Sequence, residues 1–272
     1  MKVLDIYSKK DLDILTCNGV VVSKIMDDFF EGFPKSYRKN YDSNLKSLEI
    51  WRVDEHYDGL IAGEYHNRPN VLIMNNMNSF IHELLHISSY NMITNKVAFC
   101  KNSGGFFFEE ALIEGMTEYL SASALNDTYK DYFFEAFVVS MLANIEGIFE
   151  PYFIPSYEKF MSLFPDKKDI VSLMYALSFY YDKNGIYISD LSMKLSDIER
   201  VGIKHSVCDV IDSLISIQLS MKMGKKEDTL YAEKFMDLLA NDDIQDSVVA
   251  YCDDCLDYAN EQINKRILRR IR

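Results

Sequence analysis

The heptapeptide Phe80-Ile81-His82-Glu83-Leu84-Leu85-His86 gathers three side chains able to do chemistry into one short run. Read as a helix, it sets His82 and His86 one turn apart on the same face, with Glu83 beside them. Two imidazoles at that spacing can close on one zinc ion, and the carboxylate next to the first is placed to take a proton from a water on the metal. That chemistry is hydrolysis. Phe80, Ile81, Leu84, Leu85 and Ile87 make the helix apolar around most of its circumference, which predicts burial. Buried imidazoles need a partner for their polarity: a metal supplies one, and hydrogen bonds within the core are the plainer alternative.

A second helical pattern follows in Glu110-Ala-Leu-Ile-Glu114-Gly115-Met116-Thr117-Glu118-Tyr119-Leu120. Glu110, Glu114 and Glu118 fall at four-residue steps on one face, and carboxylates stacked without cations between them repel. A cation facing that stripe offsets the repulsion.

Together the two segments resemble the gluzincin branch of the zincin metallopeptidases, over about forty residues from His82 to Leu120. The resemblance implies a third metal ligand at Glu114, ahead of Gly115, and makes Glu118 the acceptor that holds one histidine ring by its other N–H. It implies a zinc-dependent peptidase with Glu83 as general base, acting on a peptide or protein substrate. The aminopeptidase-like members carry Asn before the ligand glutamate, where this chain has Ile113, so amino-terminal clipping is not implied. Metzincins would need glycine at 89 and histidine at 92, where the chain has Ser89 and Met92. His56, His66 and His205 are solitary, and a lone histidine is more often a surface or hydrogen-bonded residue than a ligand. The family also uses an oxyanion donor from its helical lobe. Tyr175, Tyr180 and His205 are the candidates, with Tyr175 preferred because the run Tyr175 to Gly185 looks like the Tyr-rich helix that follows the ligand helix in such peptidases.

The elements that must position these residues are of mixed type before the histidines and almost wholly helical after the glutamates. Val20 to Gly32 has helical spacing, ended by Gly32 and Pro34. Leu48 to Val53, Leu60 to Tyr65 and Val71 to Met74 read as strands of a small sheet. In zincins such strands lie along the cleft, where an unpaired edge can accept an extended peptide. Asn78 or Ser79 is the expected cap of the histidine helix. Asn91 to Gly105 reads as a loop, and Phe106, Phe107 and Phe108 read as core packing, with a substrate wall as the alternative. Beyond Asp131, Tyr132 to Phe149 is one helix broken by Pro151 and Pro155. Asp169 to Lys183 is another, stopped at Asn184-Gly185, and three helical stretches follow.

The fold class expected is α+β, mainly α: a zincin-like two-lobed metallopeptidase with a small sheet in an amino-terminal lobe (1–125) and a helical carboxy-terminal lobe (126–272). Composition agrees with a globular chain, at 48% hydrophobic and 26% charged residues. A net charge of −13 argues against a nucleic-acid surface. No transmembrane run and no apolar leader occur, so a cytoplasmic location is expected, with secretion after processing as the alternative. Five scattered cysteines do not suggest a disulfide framework, and Cys252-Asp-Asp-Cys255 reads as helix packing before it reads as a redox or zinc half-site. Lys265, Arg266, Arg269, Arg270 and Arg272 share the last helix with Ile263, Ile267 and Ile271, an isoleucine stripe expected to dock on the acidic body. The second functional class is a catalytically inactive zincin-fold protein that acts as a binding or regulatory module.

Overall fold

The strand and helix signals settle into an α+β chain, mostly helical, with small sheets near its amino terminus. A computed structural model describes residues 2–54, 63–101, 108–129, 131–189, 196–242 and 253–271. Their Cα atoms form two compact units. One comprises Met1–Gly105, Thr117–Lys130 and Phe149–Tyr157, the other Phe106–Met116, Asp131–Ile148 and Glu158–Arg272.

The first unit is built on four strands: β1 (Val3–Ser8), β4 (Glu49–Val53), β5 (Gly63–Asn67) and β6 (Asn70–Met74). Their order is β1-β4-β6-β5, with β1 and β4 antiparallel, β4 and β6 parallel, and β5 and β6 antiparallel. β6 sits inside the sheet and buries Val71, Leu72, Ile73 and Met74 in succession, as a strand covered on both faces should. β4, also inside the sheet, buries Ile50 and Val53, which lie an odd number of residues apart and so face opposite sides, and leaves Glu49 and Arg52 exposed. β1 had no reading as a strand. Its Leu4 and Ile6 are exposed, so it lacks the alternation of buried and exposed positions that would have marked it.

Two short strands, β2 (Thr16–Cys17) and β3 (Val20–Val21), lead into helix α1 (Val22–Glu31), which ends at Gly32 as expected. Phe29 and Phe30 of α1 pack on Phe153, a ring that Tyr37 also stacks against at 5.1 Å between centroids. Helix α2 (Lys39–Asn44) comes next, and α3 (Phe80–Ser89) carries the two histidines. A hairpin of β7 (Tyr90–Asn91) and β8 (Lys96–Val97) follows α3, where a loop was expected. Its turn is closed by Asn91, whose side chain accepts from the amides of Ile93 and Thr94. Helix α4 (Glu110–Leu125) carries the glutamates.

The rest is helical: α5 (Phe133–Leu142), α6 (Glu150–Phe153), α7 (Tyr157–Ser162), α8 (Lys167–Ser189), α9 (Asp197–Ser220), α10 (Lys225–Leu239) and α11 (Asp253–Gln262). A π-helical stretch, Ile263–Leu268, and a last turn, Arg269–Ile271, complete it. Three boundaries differ from the sequence reading. α5 stops at Leu142 and gives way to turns that include Gly147 at φ +78, a conformation no continuous helix to Phe149 could hold. Pro151 does not break a helix but opens α6, in the first turn, where no N–H is required. α8 runs through Asn184-Gly185, since a helix-interior glycine costs only about 1 kcal/mol and Ile170, Leu173, Leu177 and Tyr180 bury a long stripe on the same helix. α9 begins with a capping box: Ser196 accepts from the Glu199 amide while the Glu199 carboxylate accepts from Ser196. Ile263 and Ile267 of the isoleucine stripe are fully buried, as expected, and the Ile271 side chain lies outside what is described.

Candidate metal centre

Every large side chain on the buried faces of α3 is solvent-free: Phe80, Ile81, Leu84, Leu85 and Ile87. This burial fixes the rotation of the helix and leaves His82, Glu83 and His86 to one side. Its carboxy-terminal end is fixed by α2. The buried Asn44 amide donates to the carbonyls of Ile87 and Tyr90, at 2.8 Å each. At the amino-terminal end Ser79 does not cap the helix, and the side chain of Asn78, the other expected cap, lies outside what is described. Ser79 has helical dihedrals, since a 3-10 turn (Met77–Ser79) runs straight into α3, and its hydroxyl bonds back to the Asn76 carbonyl.

The two imidazoles meet. His86 Nε2 lies 3.1 Å from His82 Nε2, and His82 Nδ1 lies 3.0 Å from Glu118 Oε2 in a buried pair. The Glu118 contact fixes the tautomer: Nδ1 donates its hydrogen to the carboxylate and Nε2 is left with its lone pair outward. One helical turn ahead of Glu118 on α4 is Glu114. Ligand atoms of His82, His86 and Glu114 all lie within 4.8 Å of one another. The donor set is two imidazoles and a carboxylate, and nitrogens held by one tetrahedral ion at 2.0–2.1 Å stand roughly 3.3 Å apart. The observed spacing of the two nitrogens fits that figure. His82 is buried, while His86 and Glu114 are half-buried.

The glutamate stripe deepens along α4, from exposed Glu110 to half-buried Glu114 to buried Glu118. Thr117 bonds the Tyr152 hydroxyl at 2.8 Å, and Tyr119 stacks on Phe149 at 5.7 Å, which sets the rotation of this helix. Gly115 lets it approach α5. A Cβ at that position would stand 2.5 Å from the backbone oxygen of Glu135, so only glycine fits without displacing one helix. Glu135 is a buried carboxyl that the sequence reading did not single out. Burial pushes it up to about 8, its own backbone amide opposes the shift, and the Glu114 carboxylate adds to it.

Glu83 is buried. Its side chain lies against Gly63, the first residue of β5: a Cβ built on Gly63 would fall 2.9 Å from Glu83 Cγ and 3.2 Å from Glu83 Oε1. β5 is an outer strand of the four-stranded sheet, and it is the strand beside α3.

Of the tyrosines weighed on α8, Tyr175 is 63% exposed and packs on Phe108, which is itself exposed rather than part of the core. Tyr180 is buried against Phe134, 4.7 Å between centroids. Tyr181, not weighed in the sequence, feels three of the carboxylates: burial raises its pKa, and Glu114, Glu110 and Glu135 raise it further, against a hydrogen bond from Tyr132. Eighteen tyrosines in the chain left no signal that would have picked it out. His205 is exposed on α9, and His66 pairs with Glu64 on β5 at 3.3 Å. His56, Phe106 and Phe107 lie outside the described residues. No helix among the described residues is long and apolar enough to cross a membrane. The chain matches no protein-family model, no curated protein and no solved structure.

Proposed function

We propose that this chain is a zinc-dependent peptidase of the gluzincin type, with His82, His86 and Glu114 as metal ligands and Glu83 as general base. The observation that carries the reading is the convergence of those three ligand groups, with the Glu118 carboxylate behind His82. A zinc ion bound there would act as a Lewis acid and make the water it carries more acidic.

The chain's own residues do the rest. Glu118 holds the His82 ring by Nδ1, so its Nε2 faces the ion. Glu83 takes the proton from the attacking water and hands it to the departing amine. β5, the outer strand against which Glu83 lies, offers backbone groups to an extended peptide. Tyr181 of α8, whose hydroxyl is held protonated by burial and by the Glu114 carboxylate, is the proposed donor to the developing oxyanion, the role that the resemblance gives to Tyr175.

One experiment separates an enzyme from an inactive binding module. Protein purified without chelator is assayed on a mixed peptide library beside Glu83→Gln, Tyr181→Phe and Tyr175→Phe. Chelator-sensitive cleavage is expected. Glu83→Gln should lose it with metal retained, Tyr181→Phe should lower kcat by roughly 10- to 100-fold, and Tyr175→Phe should change it little. Metal retained with no cleavage by the wild type would favour the binding module.

A further inference from the structure

Cys252 lies outside the described residues, and among those described Cys255 meets a cysteine of another helix. Cys255, on α11, is fully buried. Its thiol hydrogen-bonds that of Cys208 on α9, and Cys208 is only half-buried.

Three residues of α11 and the turns that follow it make four more hydrogen bonds to α9. Tyr258, one turn beyond Cys255, donates to Asp212 Oδ2 at 2.5 Å, and Asp212 is one turn beyond Cys208. Arg266 reaches Asp212 Oδ1 at 3.2 Å and Ser216 Oγ at 2.6 Å, and Arg270 reaches the Leu219 carbonyl at 3.1 Å. Partners ascend both segments together, so the two run in the same direction and the thiol pair is the first rung of one ladder. A thiol contact fixed by the rungs above it is not an accident of two loose side chains.

We propose that Cys208 and Cys255 are a disulfide-forming pair that hydrogen peroxide oxidises, joining α9 to α11. Cys208 is the thiol that the oxidant reaches, and Cys255, buried behind it, is the resolving thiol. The hydrogen bond from Cys255 favours the Cys208 thiolate; burial opposes it, Lys204 one turn back assists, and Asp209 and Asp212 oppose. The thiolate attacks the O–O bond, one oxygen stays on sulfur as sulfenic acid, and the other leaves as water with a proton. The Cys255 sulfur then displaces the hydroxyl, forming the S–S bond, and a second water leaves with the Cys255 proton. Two thiols lose two electrons and the peroxide gains them.

The test uses the full chain, wild type and Cys252→Ser, treated with hydrogen peroxide, alkylated and mapped by mass spectrometry. Expected is a Cys208–Cys255 linked peptide in both proteins, lost in Cys208→Ser, with Cys17 and Cys100 still alkylated. In urea before oxidation the selectivity for this pair should disappear. A Cys252–Cys255 link in place of it, or Cys208 carried to sulfinic acid with Cys255 still alkylated, would overturn the proposal. A Tm that rises on oxidation of the Cys252→Ser protein, and not of Cys208→Ser, reads the same bond without mass spectrometry. None of these outcomes depends on metal or on peptide cleavage.

Discussion

The carboxylate behind His82 decides how that ring presents itself. Glu118 is buried and makes a charge-assisted contact that selects one tautomer, so its removal frees the imidazole to rotate and to protonate at either nitrogen. Glu118→Ala should weaken zinc binding by roughly 10- to 100-fold, measured by competition with a chromophoric chelator, while His82 and His86 remain. Equal affinity in the variant would remove Glu118 from the account. Glu135 carries a prediction of opposite character. Its carboxyl is raised to about 8 in the fold and stays near its ordinary value in the unfolded chain. Below the unfolded value both states are protonated and there is no penalty. As pH rises toward about 8 the unfolded chain ionises and the fold does not, so stability falls by up to about 1.4 kcal/mol per unit. In metal-free protein, Glu135→Gln should therefore gain on the wild type between pH 5 and pH 9 in urea denaturation. Parallel pH profiles would contradict that. At this scale His82 and His86 were legible, because four-residue spacing on a helix is a local rule, whereas Glu114 was singled out from its stripe by the family resemblance and not by spacing. Glu135 and Tyr181 were not, since their importance comes from what the fold puts beside them.

Between elements, two glycines mark close approaches near the site. Gly115 allows α4 to meet the backbone of α5, and Gly63 brings β5 against Glu83. Gly63→Ala should push the Glu83 carboxylate aside and lower kcat by about 10- to 100-fold, with metal content unchanged, because small misplacements of a catalytic group are costly. Unaltered kcat would mean that Glu83 does not depend on the strand. The strands read from β-branched and apolar runs appear at β4, β5 and β6, whereas β1 appears where no alternation announced it. Helix ends were the least legible feature. Pro151 and Gly185 are both read locally as breakers, yet one opens a helix and the other lies within one. Local propensities of about 1 kcal/mol for glycine yield to a long apolar stripe. The basic carboxy-terminal run shows the reverse: its isoleucine period predicted the docked face correctly, and Arg266 finds Asp212.

For the whole molecule, the net charge is −13, and no helix among the described residues is long and apolar enough to cross a membrane. What the chain does rests on whether His82, His86 and Glu114 hold an ion. Contact between the two imidazole nitrogens at 3.1 Å also suits a proton shared between them, which is the metal-free arrangement of the same residues. Zinc stoichiometry separates the two. Protein purified without chelator, stripped and titrated with zinc under calorimetry, should bind one ion tightly. Glu114→Ala should weaken that binding at least about tenfold, and His82→Ala should abolish it. A wild-type chain that takes up no zinc, or takes it up equally well without Glu114 and His82, would contradict the account.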